Sequence, residues 1–161
     1  MNTDIVIAGG GMVGASLALA LAQLGFDITL VEAALFRTGG SPSFDDRTTA
    51  LSNGSRRIME GLGVWPLVRH EATPIRKIHV SDRGRFGFAR IDAAELDLES
   101  LGFVIANRAL GAGLWQRLEA TGVRVLAPAR VVDYDATAEG CQVRLEGEAA
   151  GSDPVHCRLL V

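Results

Sequence analysis

The chain has 161 residues, which predicts one domain, long enough to bury a sizeable core. A net charge of −3, from 16 Lys+Arg against 19 Asp+Glu, leaves no basic excess to attract nucleic acid or an anionic membrane. The longest apolar run, residues 17–22, falls far short of the roughly 20 residues a membrane span needs. The N-terminal Met-Asn-Thr-Asp carries an acid where a secretory signal carries basic residues, so a cytoplasmic location is expected.

Residues 4–8 (DIVIA) form a short β-branched run that reads as a buried parallel strand. Three glycines follow, then a run of strong helix formers that ends at Gly25, a helix-stopping residue. Residues 27–32 (DITLVE) read as a second strand, completing a βαβ unit of about 30 residues with the usual right-handed crossover. The stretch 33–46 carries Gly, Ser and Pro without a period and reads as a loop. Residues 48–62 read as a helix with Arg56, Arg57 and Glu60 exposed, and a short turn at 65–69 packs on it through Trp65 and Leu67. Pro74 marks a break. Residues 75–80 and 86–91 alternate apolar and polar and flank Ser81-Asp82-Arg83-Gly84, a hairpin pattern that could belong to a different sheet.

The acidic stretch 92–102 looks irregular, and 103–106 a short strand. A helix is expected over 108–121, with Leu110, Leu114, Trp115 and Leu118 on one face. Four strands follow, at 123–126, 130–134, 142–146 and 155–161. Cys141 and Cys157 fall on opposing strands of a hairpin whose turn lies near 147–153. That placement sets them out of register, as two small buried thiols rather than a disulfide. The last residues, His-Cys-Arg-Leu-Leu-Val, are an apolar strand without a cap or polar tail, so the chain is expected to be a piece of a longer protein.

The chemistry lies in Gly9-x-Gly11-x-x-Gly14, the spacing of a dinucleotide fingerprint. Gly9 permits a tight turn out of the strand, Gly11 lets a pyrophosphate approach the backbone, and Gly14 lets the helix lie against the strand. The helix N-terminus then offers free N–H groups and a partial positive charge to phosphates. Met12 and Val13, in the first helical turn, are counted with them as cofactor contacts. Glu32 closes the second strand 18 residues after Gly14, where its carboxylate can accept from both ribose hydroxyls and repel a 2′-phosphate. The pocket should therefore take FAD or NAD rather than NADP. His70, His79 and His156 make no metal spacing with the cysteines, and no nucleophile–base pair is evident. That pattern suits an enzyme whose cofactor carries the chemistry.

The glycine unit together with Asp45-Asp46-Arg47-Thr48-Thr49-Ala50-Leu51 resembles the flavoprotein aromatic hydroxylases of the p-hydroxybenzoate hydroxylase type. His79-Val80-Ser81-Asp82-Arg83-Gly84 narrows the resemblance to the ubiquinone-biosynthesis branch that includes the 2-polyprenyl-6-methoxyphenol hydroxylases. The resemblance covers essentially the whole chain. It implies an α/β fold: a Rossmann-like FAD-binding domain, with a parallel sheet, helices and added antiparallel strands. Residues 1–74 and 103–161 would form part of this domain, and 75–102 the first hairpin of a substrate domain.

The resemblance also implies roles. Arg47 would approach the ribityl-pyrophosphate portion of FAD, Arg108 would be a second FAD-contacting arginine, and the backbone at Val131 would meet the adenine. An arginine fork suits phosphate oxygens. Asp45, Asp46 and the 81–84 turn are read as loop or turn residues, and no residue as a catalytic base. The implied activity is FAD-dependent hydroxylation of a prenylated phenol in ubiquinone biosynthesis, with NADPH as reductant and O2 delivered through a flavin hydroperoxide. A lipid substrate makes peripheral membrane association, or association with a ubiquinone-biosynthesis complex, compatible with the full enzyme. The segments that hold the isoalloxazine ring and most of the substrate would lie beyond Val161. Two alternatives stay open. One is an NAD-dependent dehydrogenase, against which the long loop and hairpin count. The other is a non-catalytic nucleotide-binding or scaffold subunit.

Overall fold

Two faces of one sheet are decided by alternation in the first strands. In the computed structural model, which describes residues 1–34, 47–84 and 86–161, β1 (Asn2–Ala8) places Ile5 and Ile7 on one face and Val6 on the other, all three buried. β2 (Ile28–Val31) is buried along its whole length. Strands buried on both sides are what the centre of a parallel sheet requires. Between them α1 (Met12–Gln23) buries the small Ala15 and Ala18 together with Leu19. It stops at Leu24, and Gly25 adopts φ +86°, the left-handed conformation that commonly ends a helix.

The next stretch departs from expectation. Residues 48–62 are not one helix. Thr48–Ser52 is a strand, β3, paired antiparallel with β7 (Gly102–Ala106), and α2 begins only at Asn53 and runs to Gly61. Thr48 and Thr49 are β-branched and favour the pleated conformation. Ser52 is the N-cap, its hydroxyl accepting from the Ser55 N–H at 3.1 Å. α3 (Trp65–Val68) follows, with Trp65 and Val68 buried, and runs into a 3-10 turn at Arg69–Glu71.

The strand expected over 75–80 is divided. β4 (Thr73–Ile75) joins β7 in a three-stranded sheet of order β3-β7-β4, while β5 (Lys77–Ser81) pairs only with β6 (Phe88–Asp92). Pro74 sits within β4, at the edge of its sheet, where a missing N–H breaks no ladder. The two-stranded β5–β6 sheet exposes Val80, Phe88 and Ile91. Within the expected irregular stretch 92–102, Ala93–Leu96 forms a 3-10 turn. Asp92 caps it by accepting from the Ala94 N–H, and also pairs with Lys77 at 2.9 Å. The Lys77 ammonium, then the Ala94 amide, hold the Asp92 carboxyl below its usual range.

α4 (Asn107–Glu119) buries Leu110, Leu114, Trp115 and Leu118 on one face, as its spacing predicts. β8 (Arg124–Leu126), β9 (Arg130–Thr137), β10 (Gly140–Glu146) and β11 (Val155–Leu160) complete the chain. The main sheet has six strands in the order β8-β2-β1-β11-β10-β9. The first four run parallel, and β10 and β9 are antiparallel additions. One face packs α1 and α4 through Ile5, Ile7, Ile28 and Leu30; the other gathers Val6, Val31, Ala129, Val143 and Val155. The mixed α/β architecture is the one expected. Among the described residues no helix is long and apolar enough to cross a membrane.

The cysteines lie otherwise than expected. Cys141 stands directly opposite Cys157, with Gln142 opposite His156 and Val143 opposite Val155. The pairing is symmetric about Ala149, whose N–H donates to Pro128 O in the connection between β8 and β9. Both thiols are free and buried. Burial, and secondarily the neighbouring Cys141, push the Cys157 thiol up from its usual value.

Candidate functional site

The C-terminal end of β1 turns sharply. Gly9 takes φ +115°, a conformation that L side chains rarely adopt, while its N–H donates to Val31 O at 2.7 Å. Gly11 is the N-cap of α1 and contributes no side-chain cap, and no acid occupies the first turn. The amides at this helix end are therefore left for an external anion. A Cβ placed on Gly9 or Gly11 would meet nothing within 4 Å, so both border open space. A Cβ on Gly14 would collide with the Gly9 carbonyl oxygen, and Gly14 thus lets the helix close down on the turn. Val13 is 84% exposed and Met12 is half-buried, so the first turn presents apolar side chains beside the open amides.

Glu32 follows β2 directly. One carboxylate oxygen accepts from the Gly10 N–H at 2.7 Å and the other from the Ala34 N–H at 2.8 Å. Its own backbone is tied on both sides, N–H to Leu126 O and C=O to the Ala129 N–H. The carboxylate is held at the C-terminal end of β2 beside the glycine turn, and each oxygen keeps a further lone pair for an incoming donor. Beside it, Ala33, Pro128, Ala129, Arg130, Glu146 and Gly147 line a cavity of about 280 Å³. Val131 is one residue further along β9, half-buried against the second core.

The structure brings the backbone of Arg47 to the start of α4, where Arg108 is the second residue. Asn107, the first residue of α4, donates its N–H to Arg47 O at 2.8 Å, and Thr49 donates its hydroxyl to Asn107 Oδ1 at 2.6 Å. Arg47 thus enters β3 next to Arg108. Arg108 lies 3.9 Å from Glu71 and is about half exposed. Asp45, Asp46 and most of the expected 33–46 loop lie outside the described residues.

One contact at this site has no counterpart in the sequence pattern. Trp115, expected only as part of the core face of α4, donates its indole N–H to Gly10 O at 3.1 Å across 105 residues. Its ring lies 2.7 Å from where a Cβ on Gly10 would stand, so the second glycine of the run is required by the indole rather than by the turn. No local signal could reveal it, because the partner is set by the packing of α4 on α1.

Open amides at a helix N-terminus, an adjacent acid at the end of the second strand and a cavity beyond it form a cradle shaped for an adenosine pyrophosphate. Residues 2–161 match the family described as "FAD binding domain". The chain belongs to this FAD-binding domain family. Its curated relatives include the 3-demethoxyubiquinol 3-hydroxylase of Escherichia coli K12, 42% identical over 73% of the chain and 30% of the relative. The ubiquinone hydroxylase UbiL of Rhodospirillum rubrum is 31% identical over 98% of the chain and 36% of the relative. The chain spans about a third of the length of these relatives. Among solved structures, p-nitrophenol 4-monooxygenase PnpA from Pseudomonas putida DLL-E4 matches 99% of the chain and 40% of its own, with a TM-score of 0.78 at 17% identity. The flavin-dependent monooxygenase PieE, solved with FAD and substrate, matches 99% of the chain and 30% of its own, with a TM-score of 0.74 at 20% identity. At such identities these structures establish the fold of the FAD-binding domain.

Proposed function

We propose that this chain forms the ADP-binding half of the FAD site in a FAD-dependent monooxygenase that hydroxylates a prenylated phenol in ubiquinone biosynthesis. The observation that carries the proposal is the joint placement of the Gly9–Gly11 turn, the uncapped N-terminus of α1 and the Glu32 carboxylate. In this reading the amides at Gly11, Met12 and Val13 receive the pyrophosphate, and Gly14 keeps the helix close enough to present them. Glu32 accepts from the ribose hydroxyls. The adenine lies in the cavity between Ala33 and Arg130, with the backbone of Val131 behind it. Arg47 and Arg108, joined through β3 and the start of α4, face the phosphate and ribityl portion.

FAD, when bound, supplies the redox chemistry. In the balanced reaction two electrons from NADPH and two from the phenol would reduce O2, one oxygen atom ending in the new ring hydroxyl and the other in water. The relatives named as ubiquinone hydroxylases support the substrate class. The domain division at 75–102 belongs to the same proposal, supported by the separate β5–β6 sheet, as does the cytoplasmic location expected from the sequence.

The visible absorption spectrum of the longest native form of the protein, followed by its NADPH oxidation with and without a prenylated phenol, tests this. A yellow protein whose NADPH consumption and hydroxylated product both depend on the phenol is expected. A colourless protein that binds NAD would point instead to a dehydrogenase, and one that binds neither nucleotide to a scaffold.

A further inference from the structure

We propose that Trp115 is a positioning residue for the cofactor, aiming the Gly11 N–H at the pyrophosphate. The inference rests on the proposed FAD site. A trans peptide is planar, so the carbonyl of one residue and the N–H of the next point in opposite directions. The Gly10 carbonyl and the Gly11 N–H share one such plane. Trp115 holds the Gly10 carbonyl toward the buried face of α4 through a 3.1 Å hydrogen bond. The Gly11 N–H is thereby turned the other way, away from the indole and α4.

The grip is two-sided. The Gly10 N–H is taken by Glu32 at 2.7 Å while its carbonyl is taken by the indole. The two peptides that flank Gly10 are thus each held by one partner, and the ribose-binding acid and the phosphate-binding amide are tied to one residue. The indole also suits the position sterically, since it fills the space a Gly10 side chain would need. A buried indole N–H has a donor and no acceptor, so it needs one carbonyl, and Gly10 supplies it. Phenylalanine would keep most of the ring volume and lose only the donor. The Gly10–Gly11 peptide could then rotate, and an ordered donor facing the phosphate would become a disordered one.

The test is Trp115→Phe, with affinity for FAD, ADP and adenosine measured by fluorescence and NMR titration, and the melting temperature recorded without ligand. FAD and ADP should bind about 5- to 10-fold more weakly, as expected for one hydrogen bond of ordinary strength, while adenosine, which carries no phosphate, stays within about twofold. Equal losses for adenosine and ADP, or unchanged FAD affinity, would overturn the proposal. Failure of the unsubstituted protein to bind FAD or ADP at all would instead overturn the site itself. If Trp115→Phe does not fold, solvent exchange of the Trp115 indole N–H decides the matter in the unsubstituted protein. It should slow when ADP binds and stay unchanged with adenosine, whereas the same rate with ADP as without would count against the proposal.

Discussion

Gly11 and Gly14 belong to one motif but are needed for different reasons, and a methyl group separates them. Gly11 has φ −66° and ψ −176°, which any residue can adopt, and no neighbour within 4 Å of a Cβ. Gly11→Ala should therefore keep its melting temperature within a few degrees and lose FAD affinity at least about tenfold, because the methyl stands where the pyrophosphate approaches. Gly14→Ala drives a methyl into the backbone of Gly9. Overpacking of this kind costs about 1–3 kcal/mol, so the melting temperature should fall by roughly 3–10 °C. A thermal melt and an FAD titration on each variant separate the two effects. The three fingerprint glycines were legible in the sequence because their causes are local: a turn, a helix cap, and a contact five residues back along the chain. Gly10 was not, because the side chain that requires it comes from α4.

At the scale of elements, α4 is the hub. Its first residue fixes Arg47 through the backbone, Trp115 in its middle holds the glycine turn, and near its end Arg117 Nε donates to Leu62 O at 3.1 Å. The hydrogen bond from Thr49 to the buried Asn107 Oδ1 joins β3 to this helix. Thr49→Val conserves shape and removes the donor, leaving a buried acceptor unpaired at a cost of about 1–3 kcal/mol. The expected outcome is a lower melting temperature with an accompanying loss of FAD affinity, since the strand that carries Arg47 is loosened from the helix that carries Arg108. An unchanged FAD affinity would show that the two arginines do not depend on this joint.

The helices α1 and α4 and the strands of the main sheet were legible because each carries its own period. β3 was not. Ala50 and Leu51 favour a helix locally, and only the pairing of Thr48–Ser52 with β7, some fifty residues later, makes the segment a strand. β4 was hidden in the same way by Pro74, which reads as a break until the strand is seen to lie at an edge. The cysteine register was not legible because the connection between β10 and β11 is long, and its length alone does not place the centre of pairing at Ala149.

Over the whole molecule, the site is one-sided. In the proposed reading the turn, the α1 N-terminus, Glu32 and the cavity beside it would take an adenosine and its phosphates, and β5–β6 stands apart as a separate sheet with exposed apolar residues. The family follows from the match of residues 2–161 to the FAD-binding domain. The fold class was legible in the sequence because a βαβ unit with a fingerprint determines its own neighbourhood. The ring substitution of a substrate was not, since the fingerprint's spacing reports only a nucleotide.

The central claim is that Glu32 and the glycine turn hold the adenosine end of FAD. FAD titration of the unsubstituted protein and of Glu32→Arg, followed by flavin fluorescence, tests it most directly. The unsubstituted protein should show saturable binding, and Glu32→Arg, which replaces the ribose acceptor with a cation and frees the Gly10 N–H, should bind at least about a hundredfold more weakly. Equal FAD affinity in the two proteins, with both folded, would contradict the assignment.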